Sequence, residues 1–193
     1  MLKIIVQKSI SFSDQQIAKL EEAKTLLEVA INSERFKEEV LKFSHGGGSY
    51  STGWGPWRRW HQSPLRKYFS WNFYTTLDGK DSDTLTNEEV YAFIMRGKSL
   101  YEATGNSAIE IQITMSNQRG VLGWTYPNQL MTWVSAWFFN SSDSPDIASN
   151  LAHEAMHKLG FDHTFNWTHT RDFTIPYAVG NIVYKICREL IKK

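Results

Sequence analysis

His153-Glu154-Ala155-Met156-His157-Lys158-Leu159-Gly160-Phe161-Asp162-His163 has the spacing HExxHxxGxxH. As a helix ended by a glycine, this stretch puts His153 and His157 one turn apart on one side, where both imidazoles reach a single metal ion. Glu154 then lies beside that ion without having to bind it. Gly160 lets the chain leave the helix and turn, which returns His163 as a third nitrogen ligand. Three protein ligands leave a position for water. That is the layout of catalytic zinc, because structural sites fill four positions with protein, commonly with cysteine, and this chain has only Cys187. One zinc per chain would acidify the water and polarise a carbonyl, and Glu154 would take the water's proton as general base. The expected reaction class is amide hydrolysis.

Asp162 and His169 are the nearest rivals for the third ligand position, and the only glutamate after Glu154 is Glu189, deep in the predicted last helix. With 6 His and 12 Gly in 193 residues, shuffling gives HExxH in about one chain in 100 and the full pattern in roughly two in 100,000. The alternatives are a histidine trio without metal and a metal site without activity.

The flanking sequence supplies the context that the motif needs. Ser144 as N-cap and Pro145 at the first helical position start a helix through His157, with Ile147, Leu151 and Ala155 as its apolar side. Upstream, Ile109, Ile111, Ile113 and Met115 alternate with polar residues as in a half-buried strand, and shorter strands are expected over 121–126 and 130–136. A short strand is predicted over 2–7, followed by a helix opened by the capping box Ser13/Gln16, then a second helix with Phe36, Val40 and Phe43 on one face. The pair Thr86/Glu89 predicts a helix from about Asn87 to Glu102, and Val179, Ile182, Val183, Ile186 and Leu190 mark a C-terminal amphipathic helix. Between them, His45 to Asn72 reads as a long irregular stretch in which Trp54, Trp57, Trp60 and Trp71 mix with arginines. An α/β (α+β) domain follows, with no linker that forces a boundary.

Composition excludes more than it selects. The chain holds 21 Lys+Arg against 20 Asp+Glu, a net charge of +1, which argues against electrostatic nucleic-acid or membrane-surface binding. A lone cysteine rules out an internal disulfide, and Cys187 is expected in a helix core. The opening Met-Leu-Lys-Ile-Ile-Val-Gln-Lys has an apolar run too short for a signal-peptide core or a membrane span, so the expectation is a cytoplasmic chain or a mature secreted form.

Residues His153 to His163 resemble the signature of the metzincin clan of zinc endopeptidases, which includes astacins, matrixins, serralysins and reprolysins. The resemblance extends more weakly to Ile109–Met115, Gly123–Pro127 and Trp133–Phe139, which look like the strands before the active-site helix in those enzymes. It implies a zincin fold: a twisted mixed sheet, a long backing helix, an active-site helix and a small C-terminal helical lobe. The upper lobe would span about 1–160 and the lower about 161–193 of a single catalytic domain, expected as a monomer. It also implies that a protein or peptide substrate lies extended along an edge strand near Val121–Tyr126. One departure concerns the methionine turn of the clan, since Met156 is the last methionine. Thr174-Ile175-Pro176-Tyr177-Ala178 resembles that turn with Pro176 in the methionine's place. Tyr177 resembles the turn tyrosine that helps bind metal or stabilise the oxyanion in astacins and serralysins, one position closer than in their pattern. A reading of another class is an inactive metzincin-like module whose Trp-rich segment 54–71 holds a peptide or glycan.

Overall fold

A computed structural model describes residues 1–8, 12–43, 48–52, 59–63, 68–69, 76–77, 80–81, 86–97, 107–126, 130–163 and 174–192. Among them are ten strands: β1 (Lys3–Lys8), β2 (Gly48–Thr52), β3 (Arg59–Ser63), β4 (Tyr68–Phe69), β5 (Thr76–Leu77), β6 (Lys80–Asp81), β7 (Ala108–Ser116), β8 (Gly123–Thr125), β9 (Met131–Ser135) and β10 (Phe161–Asp162). The six helices are α1 (Asp14–Ile31), α2 (Glu34–Phe43), α3 (Asn87–Arg96), α4 (Ala136–Ser141), α5 (Ser144–Lys158) and α6 (Ile175–Leu190). The architecture is α+β around a four-stranded mixed sheet of order β1-β7-β9-β8. β1 and β9 both run parallel to β7, and β8 returns antiparallel to β9 with Trp124 opposite Trp133.

Alternation along the strands decides which sheet face is covered. Ile4 on β1, Ile109, Ile111 and Ile113 on β7, and Val134 on β9 are buried with the apolar side of α1 and α5. Leu20, Ala23, Leu27 and Ala30 form the inner stripe of α1. α6 packs against α5 at Gly180, where a Cβ would lie 3.2 Å from the Ser149 carbonyl oxygen, and Ser149 Oγ donates to the Gly180 carbonyl at 2.9 Å. A side chain at this position would press the two helices a few tenths of an ångström apart.

The sheet's two margins are treated differently. On β1, the Asn32 side chain at the end of α1 accepts from Leu2 N and donates to Leu2 O, each at 2.8 Å, and Glu28 accepts from Ile4 N at 2.8 Å. These side chains occupy main-chain groups that would otherwise present an open edge. At the other margin, among the described residues no strand lies beyond β8.

Several boundaries differ from sequence expectation. The helix expected to reach Glu102 ends at Arg96, because Gly97 adopts φ 62° and a Cβ there would lie 2.7 Å from the Ala108 backbone. The stretch read as irregular contains an antiparallel ladder pairing β2 with β3. Part of the segment expected as a strand up to Phe139 is the short helix α4. The N-cap of α5 is Asp143 instead of Ser144: its carboxylate accepts from Asp146 N at 3.2 Å, and Asp146 reaches back to Asp143 N at 3.3 Å.

Candidate metal centre

α5 carries the first two histidines and the chain turn after it carries the third. The helix stops at Leu159, Gly160 takes φ 97°, and Phe161–Asp162 pair with β4 as a two-residue strand. That reversal brings His163 back over α5. His163 Nε2 lies 3.2 Å from His153 Nε2, which is 3.3 Å from His157 Nε2. His157 Nδ1 donates to the Phe161 carbonyl oxygen at 2.8 Å. A carbonyl can only accept, so the proton sits on Nδ1 and the lone pair of Nε2 faces the other two rings. The three histidines lie close enough to hold one metal ion.

Electrostatics keep this donor set ready. Burial, the neighbouring His163 and the charge of Lys158 push His157 down to about 3, against the upward pull of the Phe161 carbonyl, so its ring is neutral at ordinary pH. Glu154, one residue after His153, is 2% exposed, and its Oε2 has no hydrogen-bond partner. Burial pushes this carboxyl up to about 8, with Lys158 pulling the other way. A buried carboxyl oxygen with nothing to bind signals a missing partner in the cleft, either a cation or a water.

The cleft that these residues enclose has a volume of about 770 Å³ and is walled by β8 and the residues before it on one side and by α5 and α6 on the other. Tyr177 reaches it from the first turn of α6, with its ring centroid 4.5 Å from that of His153 and 4.8 Å from that of His163. Thr174 is the N-cap and Pro176 falls in the first turn, so the stretch expected as a turn ahead of the helix is mostly the helix's own start. Asp162 also lines the cleft: its Oδ1 accepts from His163 N at 2.7 Å and lies 3.9 Å from His157 Nδ1.

The chain matches no protein-family model, no curated protein and no solved structure.

Sequence reasoning passed over two residues beside the site: Gly123 lines the cleft, and Lys158 directly follows His157. A Cβ on Gly123 would lie 2.9 Å from the Trp133 carbonyl oxygen and 3.3 Å from Glu154 Oε1, so the bare backbone of β8 makes the room that Glu154 occupies. An isolated glycine in a strand pattern was the available signal. Lys158 is completely buried, and burial lowers its pKa to about 8. Its position between two motif histidines gave no hint of that. Cys187 is buried in α6 and its thiol is pushed up to about 11, consistent with a core role. The Trp-rich segment 54–71, His45, His61 and His169 lie outside the described residues, except for the backbone of β3 and β4. No helix among the described residues is long and apolar enough to cross a membrane.

Proposed function

We propose that this chain is a zinc-dependent metalloendopeptidase with a metzincin-like zincin fold, in which His153, His157 and His163 hold one zinc ion and Glu154 is the general base. The observation that carries it is the spacing of the ring nitrogens. Imidazoles about 2.0–2.1 Å from a tetrahedral ion sit roughly 3.3–3.4 Å from one another; His153 Nε2 lies 3.2 Å from that of His163 and 3.3 Å from that of His157, and all three ligand atoms fall within 4.8 Å of one another. The Nε2 lone pair of His157 faces the other two rings, and a cation between them would be bound by all three nitrogens. Zinc bound there would supply an acidified water and a polarised substrate carbonyl.

The chain's own residues do the rest. Glu154 accepts the proton of the attacking water on its unpartnered Oε2 and delivers it to the leaving amine. Its carboxyl, raised by burial, is drawn back toward the ionised form by a cation next to it. The Tyr177 ring packs against His153 and His163, from where its hydroxyl is a donor candidate for the developing oxyanion. Substrate main chain has an edge to pair with in β8, which borders the cleft, while the opposite margin is occupied by Asn32 and Glu28. Recognition through backbone pairing favours an extended peptide. The three-histidine set, the absence of cysteine from it and the orphaned carboxylate together favour hydrolysis over a structural site.

The test is hydrolysis of a mixture of quenched fluorescent peptides by the purified protein. Turnover that is lost on chelation, restored by zinc and absent in Glu154→Gln is the expected result. Turnover that survives both chelation and the substitution would refute the assignment.

A further inference from the structure

A buried ammonium group needs a reason to be there. Lysine is almost never fully enclosed unless paired, because removing the charge from water is costly and an aliphatic side chain would fill the same space. Lys158 is fully enclosed, as the last residue of α5, between His157 and Gly160. Its Nζ donates to Thr125 Oγ1 on β8 and, at 3.1 Å, to the Met131 carbonyl oxygen at the start of β9. Thr125 Oγ1 in turn donates to that same carbonyl at 2.9 Å and lies 3.3 Å from Thr132 Oγ1. The cation also sits at the C-terminal end of α5, where the helix dipole favours positive charge.

The two acceptors of Lys158 Nζ belong to β8 and to the start of β9. β8 is three residues long and, among the described residues, is paired only with β9. So short an edge strand frays easily unless something other than the ladder holds it. The same helical turn that carries His157 thus also grips the strand across the cleft from it.

We infer that Lys158 is a positioning residue, whose ammonium group fastens β8 to the end of the metal-bearing helix and thereby sets where an extended peptide lies relative to His153, His157 and Glu154. The peptide half of this inference rests on the protease reading; the fastening of β8 does not.

The experiment compares the full chain with Lys158→Met and Thr125→Val by hydrogen exchange and mass spectrometry, with metal content and peptide kinetics measured on the same samples. Lys158→Met should speed exchange in segment 121–126 by about tenfold or more while β1 and β7 keep their protection. Metal content should stay as in wild type, and KM for an extended peptide should rise several-fold with kcat little changed. Thr125→Val should accelerate the same segment as well, and the double variant should be accelerated by less than the product of the two single effects, since both substitutions remove the Lys158–Thr125 hydrogen bond. Unchanged exchange at 121–126, acceleration spread evenly over the sheet, or strictly additive effects of the two substitutions would overturn the inference. A wild type that turns over no peptide would remove the protease reading, and the exchange pattern would still decide what Lys158 holds.

Discussion

In the proposed mechanism Glu154 is the proton carrier and Tyr177 the hydrogen-bond donor, and the two roles separate experimentally. Glu154→Gln keeps the side chain's size and removes its basicity, so it should retain metal and lose peptide turnover by about 10²–10⁴-fold. Tyr177→Phe keeps the ring against His153 and His163 and removes the hydroxyl. It should lower kcat by about tenfold or more with metal content and KM close to wild type; equal loss of metal would show the tyrosine acting as a structural wall. The three histidines and Glu154 were legible in the sequence because metal geometry ties residue type to spacing within a single turn and a glycine break. Gly123 and Lys158 were not, since what each does is fixed by atoms about 30 residues away: Glu154 for the glycine, Thr125 and Met131 for the lysine.

At the scale of elements, α5 is the part whose ends matter most. Asp143 caps it and is held by Arg188 from α6. Burial raises the Asp143 carboxyl, but the Arg188 guanidinium and the Asp146 amide outweigh this and hold it below the ordinary value of 3.8. A depressed folded pKa means stability that is present above the unfolded value and lost as pH falls through the folded one. Asp143→Ala should therefore cost about 1 kcal/mol at pH 7, read from urea unfolding, with the difference from wild type shrinking as pH is lowered below 3.8. At the other end, Gly160 at φ 97° accepts no side chain without strain. Gly160→Ala should lower stability by about 1 kcal/mol or more and weaken metal retention through the displaced His163. Retention of full metal affinity in a destabilised Gly160→Ala protein would separate the turn from the site. Capping boxes announced α1 and α3 correctly, because a cap is a local bargain between a side chain and the next turn. The end of α3 and the pairing of β2 with β3 were missed: the first is set by the close approach of Ala108 to Gly97, and strand pairing joins segments that no short window contains.

For the whole molecule, the sheet supplies a rigid floor on which one margin is closed and the other borders the cleft. Helices α1 and α5 cover its inner face, α6 packs on α5, and the histidine triad lies where α5, the turn at Gly160 and the start of α6 meet. A ligand held by three points that are 4 and 6 residues apart in sequence but come from two differently built segments should bind the folded chain and not the unfolded one. Saturating zinc should consequently raise the unfolding free energy by about 4 kcal/mol at a thousandfold excess over Kd, seen as a higher unfolding midpoint that chelation reverses. The α+β class was readable from the alternation in β7 and the helical periods around it. The sheet order was not, because β1 joins β7 across roughly a hundred residues of chain.

The central claim is the three-histidine metal site, and elemental mass spectrometry on the purified protein tests it most directly. Wild type, purified without chelator and titrated with zinc, should carry one zinc per chain, and His163→Ala should lose most of it. Absence of bound metal in wild type after zinc titration, or equal retention in His163→Ala, would contradict the account.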